Sequence, residues 1–147
     1  MKYIALLRGI NIGSKRIKMA DLIKSLESMN VKNVKTYLQS GNIIFDQNSI
    51  NIKEIRENIE KMIGQTFGFS VNVIIRTESE LEDSINSNPF IKEDDVETDK
   101  LHVTFLQDIP DKKAVLDLGI IKVKMKNLKL MVGKFIFTCQ MDILKLN

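Results

Sequence analysis

Apolar residues in this chain recur with two periods, and the order in which those periods alternate constrains the fold more than any other feature. Tyr3 to Ile10 is a short apolar run of strand length, ended by the polar, glycine-marked stretch Asn11-Ile12-Gly13-Ser14-Lys15-Arg16. Met19, Leu22, Ile23, Leu26 and Met29 then fall three and four residues apart, one face of a helix, with Asn30 as a stop. Val31 to Leu38 is rich in strand formers, and Gln39-Ser40-Gly41-Asn42 breaks it before Ile43-Ile44-Phe45. That spacing predicts two strands joined by a tight polar turn. Ile52, Ile55, Ile59, Met62 and Ile63 mark a second helical face, Gly64 to Gly68 ends it, and Val71 to Ile75 is a fourth strand. Residues 1–76 thus read as βαββαβ, the ferredoxin-like arrangement.

A second unit, 77–147, starts at Thr77, a helix cap with Glu80 three residues on, followed by the apolar stripe Leu81 and Ile85. Asn88-Pro89-Phe90 stops that helix. Leu101 to Leu106 reads as a strand, Pro110 opens a helix to Leu118, and Ile120–Met125 and Leu128–Cys139 are strand-like, the latter interrupted by Gly133. Too little chain follows for a second complete βαββαβ. The expected class is α+β.

Four stretches, Leu6 to Gly13, Thr36 to Phe45, Asn88-Pro89-Phe90 and Leu101 to Leu106, together resemble a widespread bacterial family known only as a domain of unknown function (DUF 1697). The Arg-Gly-Ile-Asn and Gln-Ser-Gly-Asn elements carry the resemblance, which covers residues 1 to about 116. It implies two tandem ferredoxin-like halves, the second incomplete here, and no assigned activity. Members end in a strand, a glycine-containing basic loop and a closing helix, and residues past 117 depart from that pattern. A reading-frame shift near residues 117–120 accounts for the departure. Read two bases out of frame, Met125-Lys126 becomes Glu and Met141-Asp142 becomes Gly. A divergent terminus is the alternative.

Charge is uneven along the chain. Residues 1–117 carry sixteen Lys/Arg and eighteen Asp/Glu, net −2, whereas 118–147 carry six lysines and one acid, Asp142, net +5. The net +3 therefore resides in the tail, which weakens an inference from basicity to nucleic acid. Tyr3 and Phe45 are too few aromatics for a base-stacking sheet of the RNA-recognition type, so nucleic acid is not an expected partner. No run approaches the ~20 apolar residues of a membrane span, and Arg8 follows too early for a signal-peptide core, so a cytoplasmic setting is expected. With one cysteine, Cys139, and one histidine, His102, neither a disulfide nor a zinc site is expected, and no cofactor motif is present. Glu93-Asp94-Asp95 lacks the EF-hand order and reads as a solvated loop.

The loop after the first strand is the candidate site. Arg8, Asn11, Gly13, Lys15 and Arg16 combine glycine-permitted turns, cations and a nearby helix start, a set suited to a phosphate or carboxylate. It is not a Walker loop, because Gly9 and Gly13 are four apart and the order is Gly-Ser-Lys. A tight connection with solvated lysines is the bland alternative. Gln39, Ser40, Gly41 and Asn42 form a secondary motif, or simply a turn that needs glycine. That turn is expected at the end of the sheet opposite the first strand's C-terminus, making two separate motifs. No catalytic residue is assigned. A small anionic ligand is the expected partner, with self-association or another protein contact the alternative.

Overall fold

The computed structural model describes residues 1–37, 41–91, 101–111, 113, 125–131 and 134–139, with backbone alone for 125–131 and 135–139. The chain divides into two compact units, Met1–Glu82 and Asp83–Asn147, where the sequence placed the boundary between 76 and 77.

In the first unit the elements run β1 (Lys2–Arg8), α1 (Met19–Glu27), β2 (Lys32–Tyr37), β3 (Asn42–Asp46), α2 (Ile52–Phe67) and β4 (Asn72–Thr77). Asn30 takes φ +59 just past α1, and Gly68 closes α2 in the left-handed region, its N–H donating to the Gly64 carbonyl. Asn51 caps α2 by accepting from the Glu54 N–H at 3.2 Å. The helical stripes face inward: Leu22 and Leu26 from α1, and Ile55, Ile59 and Ile63 from α2, are buried. They meet alternate strand residues, Tyr3, Ala5 and Leu7 of β1, Ile43 and Phe45 of β3, and Val73 and Ile75 of β4. Met19, Met29 and Met62 pack against the edge of this core.

The sheet order is β2-β3-β1-β4, antiparallel throughout. Asn42 is the register partner of Leu6 on β1 and of Tyr37 on β2. The β2–β3 turn therefore lies at the C-terminal end of β1, not at the opposite end as expected. The reason is geometric: β1 and β2 are both antiparallel to the β3 between them, so they point the same way and finish at the same end.

α3 (Glu78–Asn86) carries the chain across the division. Its start is the reciprocal cap read from the sequence: Thr77 Oγ1 accepts from the Glu80 N–H, and Glu80 Oε2 accepts from the Thr77 N–H at 2.7 Å. The expected Leu81/Ile85 stripe is corrected, because Ile85 is 62% exposed and the buried positions are Ser84 on α3 and Asn88 just past its end. Each has a polar partner that makes this orientation stable. Lys134 donates to Ser84, and Asn88 Oδ1 accepts from the Phe90 N–H at 3.0 Å.

The second unit contains β5 (Leu101–Phe105), β6 (Met125–Met131) and β7 (Lys134–Cys139) in the antiparallel order β5-β7-β6. The single interrupted strand expected over 128–139 is two paired strands. Most of the helix expected from Pro110 to Leu118, all of the strand expected over Ile120–Met125 except Met125, and the acidic run Glu93-Asp94-Asp95 lie outside the described residues.

Candidate functional site

The chain leaves β1 through Gly9, φ +73, and is pinned at both ends by apolar residues, Ile10 at 3% and Ile17 at 5% exposure. Between these anchors the loop folds on itself. Ile12 and Lys15 form an isolated antiparallel bridge, the Asn11 N–H donates to the Lys15 carbonyl at 2.6 Å, and the Lys15 N–H donates to the Ile12 carbonyl at 3.3 Å. Asn11 at φ +57 and Gly13 at φ +59 supply the left-handed turns.

Each residue singled out from the sequence has a definite place here. Asn11 is half-buried and its Oδ1 accepts from the Ile17 N–H at 2.9 Å, so this side chain holds the loop closed. Lys15 Nζ donates to the Ser70 carbonyl at 3.2 Å and lies 5.9 Å from the Phe69 ring centroid, which ties the loop to the segment before β4. Arg16 Nε donates to the Gly13 carbonyl at 3.1 Å, leaving its Nη groups uncommitted among the described residues. Arg8, at the exposed end of β1, engages no side-chain partner among the described residues.

The second motif joins the first. Gly41 is buried at φ +76, and a Cβ there would stand 1.9 Å from Ile10 Cδ1. Asn42 follows it, half-buried on the central strand β3. Gln39 and Ser40 lie outside the described residues. Thus Arg8, Gly41 and Asn42 share one end of the sheet, a juxtaposition absent from the sequence reading.

The electrostatics also sharpen. Residues 1–82 carry twelve Lys/Arg against nine Asp/Glu, net +3, and no acid precedes Asp21, whereas Lys2, Arg8, Lys15, Arg16 and Lys18 do. The near-neutral average over 1–117 hid this, because the excess acid sits past residue 82.

The two strand aromatics considered for base stacking are unavailable for it. Tyr3 and Phe45 are 1% and 0% exposed, with ring centroids 5.9 Å apart, and Tyr3 donates its hydroxyl to the Ser49 carbonyl. His102 is exposed on β5. Among the described residues, no three His, Cys, Asp or Glu side chains come together to hold a metal, and no helix is long and apolar enough to cross a membrane.

Sequence reasoning missed one buried polar pair. Lys134, 8% exposed, donates from Nζ to Ser84 Oγ at 2.9 Å, and Ser84 is 4% exposed. The available signal was the three-and-four spacing of Leu81 and Ser84 on α3 and Asn88 just past its end, a weak apolar pattern because two of the three are polar.

A family model described as "Protein of unknown function (DUF1697)" matches residues 1–137, beyond the stretch to about residue 116 over which the sequence motifs carried the resemblance. Among solved structures, a conserved bacterial protein from Streptococcus pneumoniae is similar at a TM-score of 0.73 and 22% identity, over 95% of this chain and 77% of that chain. This likeness shows a shared fold. No curated protein matches the chain.

Proposed function

Since this chain belongs to the DUF1697 family, described as proteins of unknown function, we propose its role from the site itself: it binds a small anionic ligand, bearing phosphate or carboxylate, where the β1 loop meets the β2–β3 turn. The observation that carries this reading is Arg8, an exposed guanidinium with no side-chain partner among the described residues, in an N-terminal segment that holds five cations before its first acid. A guanidinium presents paired N–H donors that match phosphate or carboxylate oxygens two at a time. Arg16 flanks it, braced through Nε, while Lys15 and Asn11 keep the loop in shape. This reading gives Arg8 and Arg16 the ligand and leaves Lys15 and Asn11 to hold the loop.

Two ferredoxin-like halves are the architecture we propose around this site. The order β2-β3-β1-β4 supports the first, and β6-β7-β5 repeats the order of its first three strands. The setting we propose is cytoplasmic, supported by a lone cysteine that admits no internal disulfide. We attribute the departure past residue 117 to a shifted reading frame, which a nucleotide sequence lacking that alternative frame would refute. The proposed site uses none of those residues.

Thermal shift with inorganic phosphate and a panel of phosphorylated and carboxylated metabolites at low ionic strength tests the binding role. Stabilisation by at least one anion, lost in Arg8→Ala and weakened by salt, is the expected result. An interaction module would instead show no anion effect and a mass that rises with concentration.

A further inference from the structure

We infer that the anionic ligand is a nucleoside monophosphate, its base laid on Tyr37 and its phosphate held by Arg8; this rests on the binding role proposed above. Strand residues alternate between two faces of the sheet. Tyr3, Ala5 and Leu7 are buried with the helices, so Leu6 and Arg8 belong to the other face, and the register puts Asn42 and Tyr37 on that face beside Leu6. Tyr37 is 63% exposed at the end of the edge strand β2, where it contributes little to the core. Two strand spacings and a two-residue offset separate it from Arg8, about 12 Å between Cα atoms. Free phosphate cannot bridge that interval, whereas a base, sugar and phosphate in line can.

Asn42 stands between them. Its amide is half-buried and makes no side-chain hydrogen bond among the described residues. An amide offers a donor and an acceptor side by side, the pattern that pairs with the edge of a heterocyclic base. Leu6 and Ile74, half-buried register partners on β1 and β4, supply apolar floor on the same face. Tyr37 is the only aromatic among the described residues of this face, so it provides a platform for one base. Oligonucleotide-binding sheets of this kind stack two or three.

Calorimetric titration of the full chain with AMP, GMP, CMP, UMP, ribose 5-phosphate and inorganic phosphate tests the inference, using the parent, Tyr37→Ala, Tyr37→Phe and Arg8→Ala. One or more nucleotides should bind about tenfold or more tighter than ribose 5-phosphate, the margin expected of one stacked base. Tyr37→Ala should erase that margin, Tyr37→Phe should keep it, and Arg8→Ala should weaken nucleotide and ribose 5-phosphate alike. If ribose 5-phosphate or phosphate binds as tightly as every nucleotide and Tyr37→Ala changes nothing, the nucleotide inference falls while the anion role stands. If no anion binds the parent chain, both fall.

Discussion

The side chain of Ile10 fills the space that a Cβ on Gly41 would need, with Cδ1 1.9 Å and Cγ1 2.8 Å from that position. This contact locks the loop after β1 to the β2–β3 turn.

Gly41→Ala should therefore cost about 1–3 kcal/mol from overpacking, with left-handed strain at φ +76 added to it. Ile10→Ala removes both clashing atoms but leaves a cavity, costing about 2–4 kcal/mol alone. Urea unfolding of the double variant should show less than the sum of the two losses. Strict additivity would mean that the two residues do not interlock.

Asn11 has two separable roles, a left-handed backbone at φ +57 and an acceptor for the Ile17 N–H. Asn11→Gly keeps the first and loses the second, whereas Asn11→Ala loses both. Chemical denaturation should rank the parent above Gly and Gly above Ala, with about 1 kcal/mol or more between parent and Ala. An alanine variant as stable as the glycine variant would show that the turn conformation costs nothing.

Much of the first unit was legible because its apolar spacing mixes threes and fours: Met19, Leu22 and Leu26, or Ile55, Ile59 and Met62, share one face of a helix but would fall on both faces of a strand. What failed was a matter of direction. No residue pattern states that β2 finishes beside the end of β1; that follows from pairing both with β3. The roles within the loop were hidden for another reason. Lys15 bonds a backbone carbonyl fifty-five residues away, and a carbonyl has the same chemistry whatever residue bears it. Ser84 escaped because the partner that makes it a core residue, Lys134, lies fifty residues downstream.

The Ser84–Lys134 pair buries an amine against a hydroxyl. Ser84→Ala leaves that amine without its bond and should destabilise by about 1–3 kcal/mol. Lys134→Met replaces a buried polar group with a flexible apolar one and should be near neutral or stabilising. The double variant should recover most of the loss from Ser84→Ala. Thermal melts of the three variants decide this, and a Lys134→Met variant less stable than Ser84→Ala would contradict it.

Hydrogen exchange should separate the two units. β1 carries Tyr3 and Ala5 at 1% and 0% exposure, whereas His102, Val103 and Thr104 of β5 are all exposed. Amides of β1 and β3 should exchange more slowly than those of β5. Equal protection over 1–76 and 100–140 would refute a less stable second unit.

The end of the sheet bearing Arg8 is the proposed anion site. Titration of the isotope-labelled full chain with inorganic phosphate at low ionic strength, followed by amide NMR, tests it most directly. Saturable shifts confined to residues 8–16 and to Gly41 and Asn42 are expected, and they should disappear in Arg8→Ala. Shifts that do not saturate, or that gather on the tail lysines past residue 118 and survive Arg8→Ala, would contradict it.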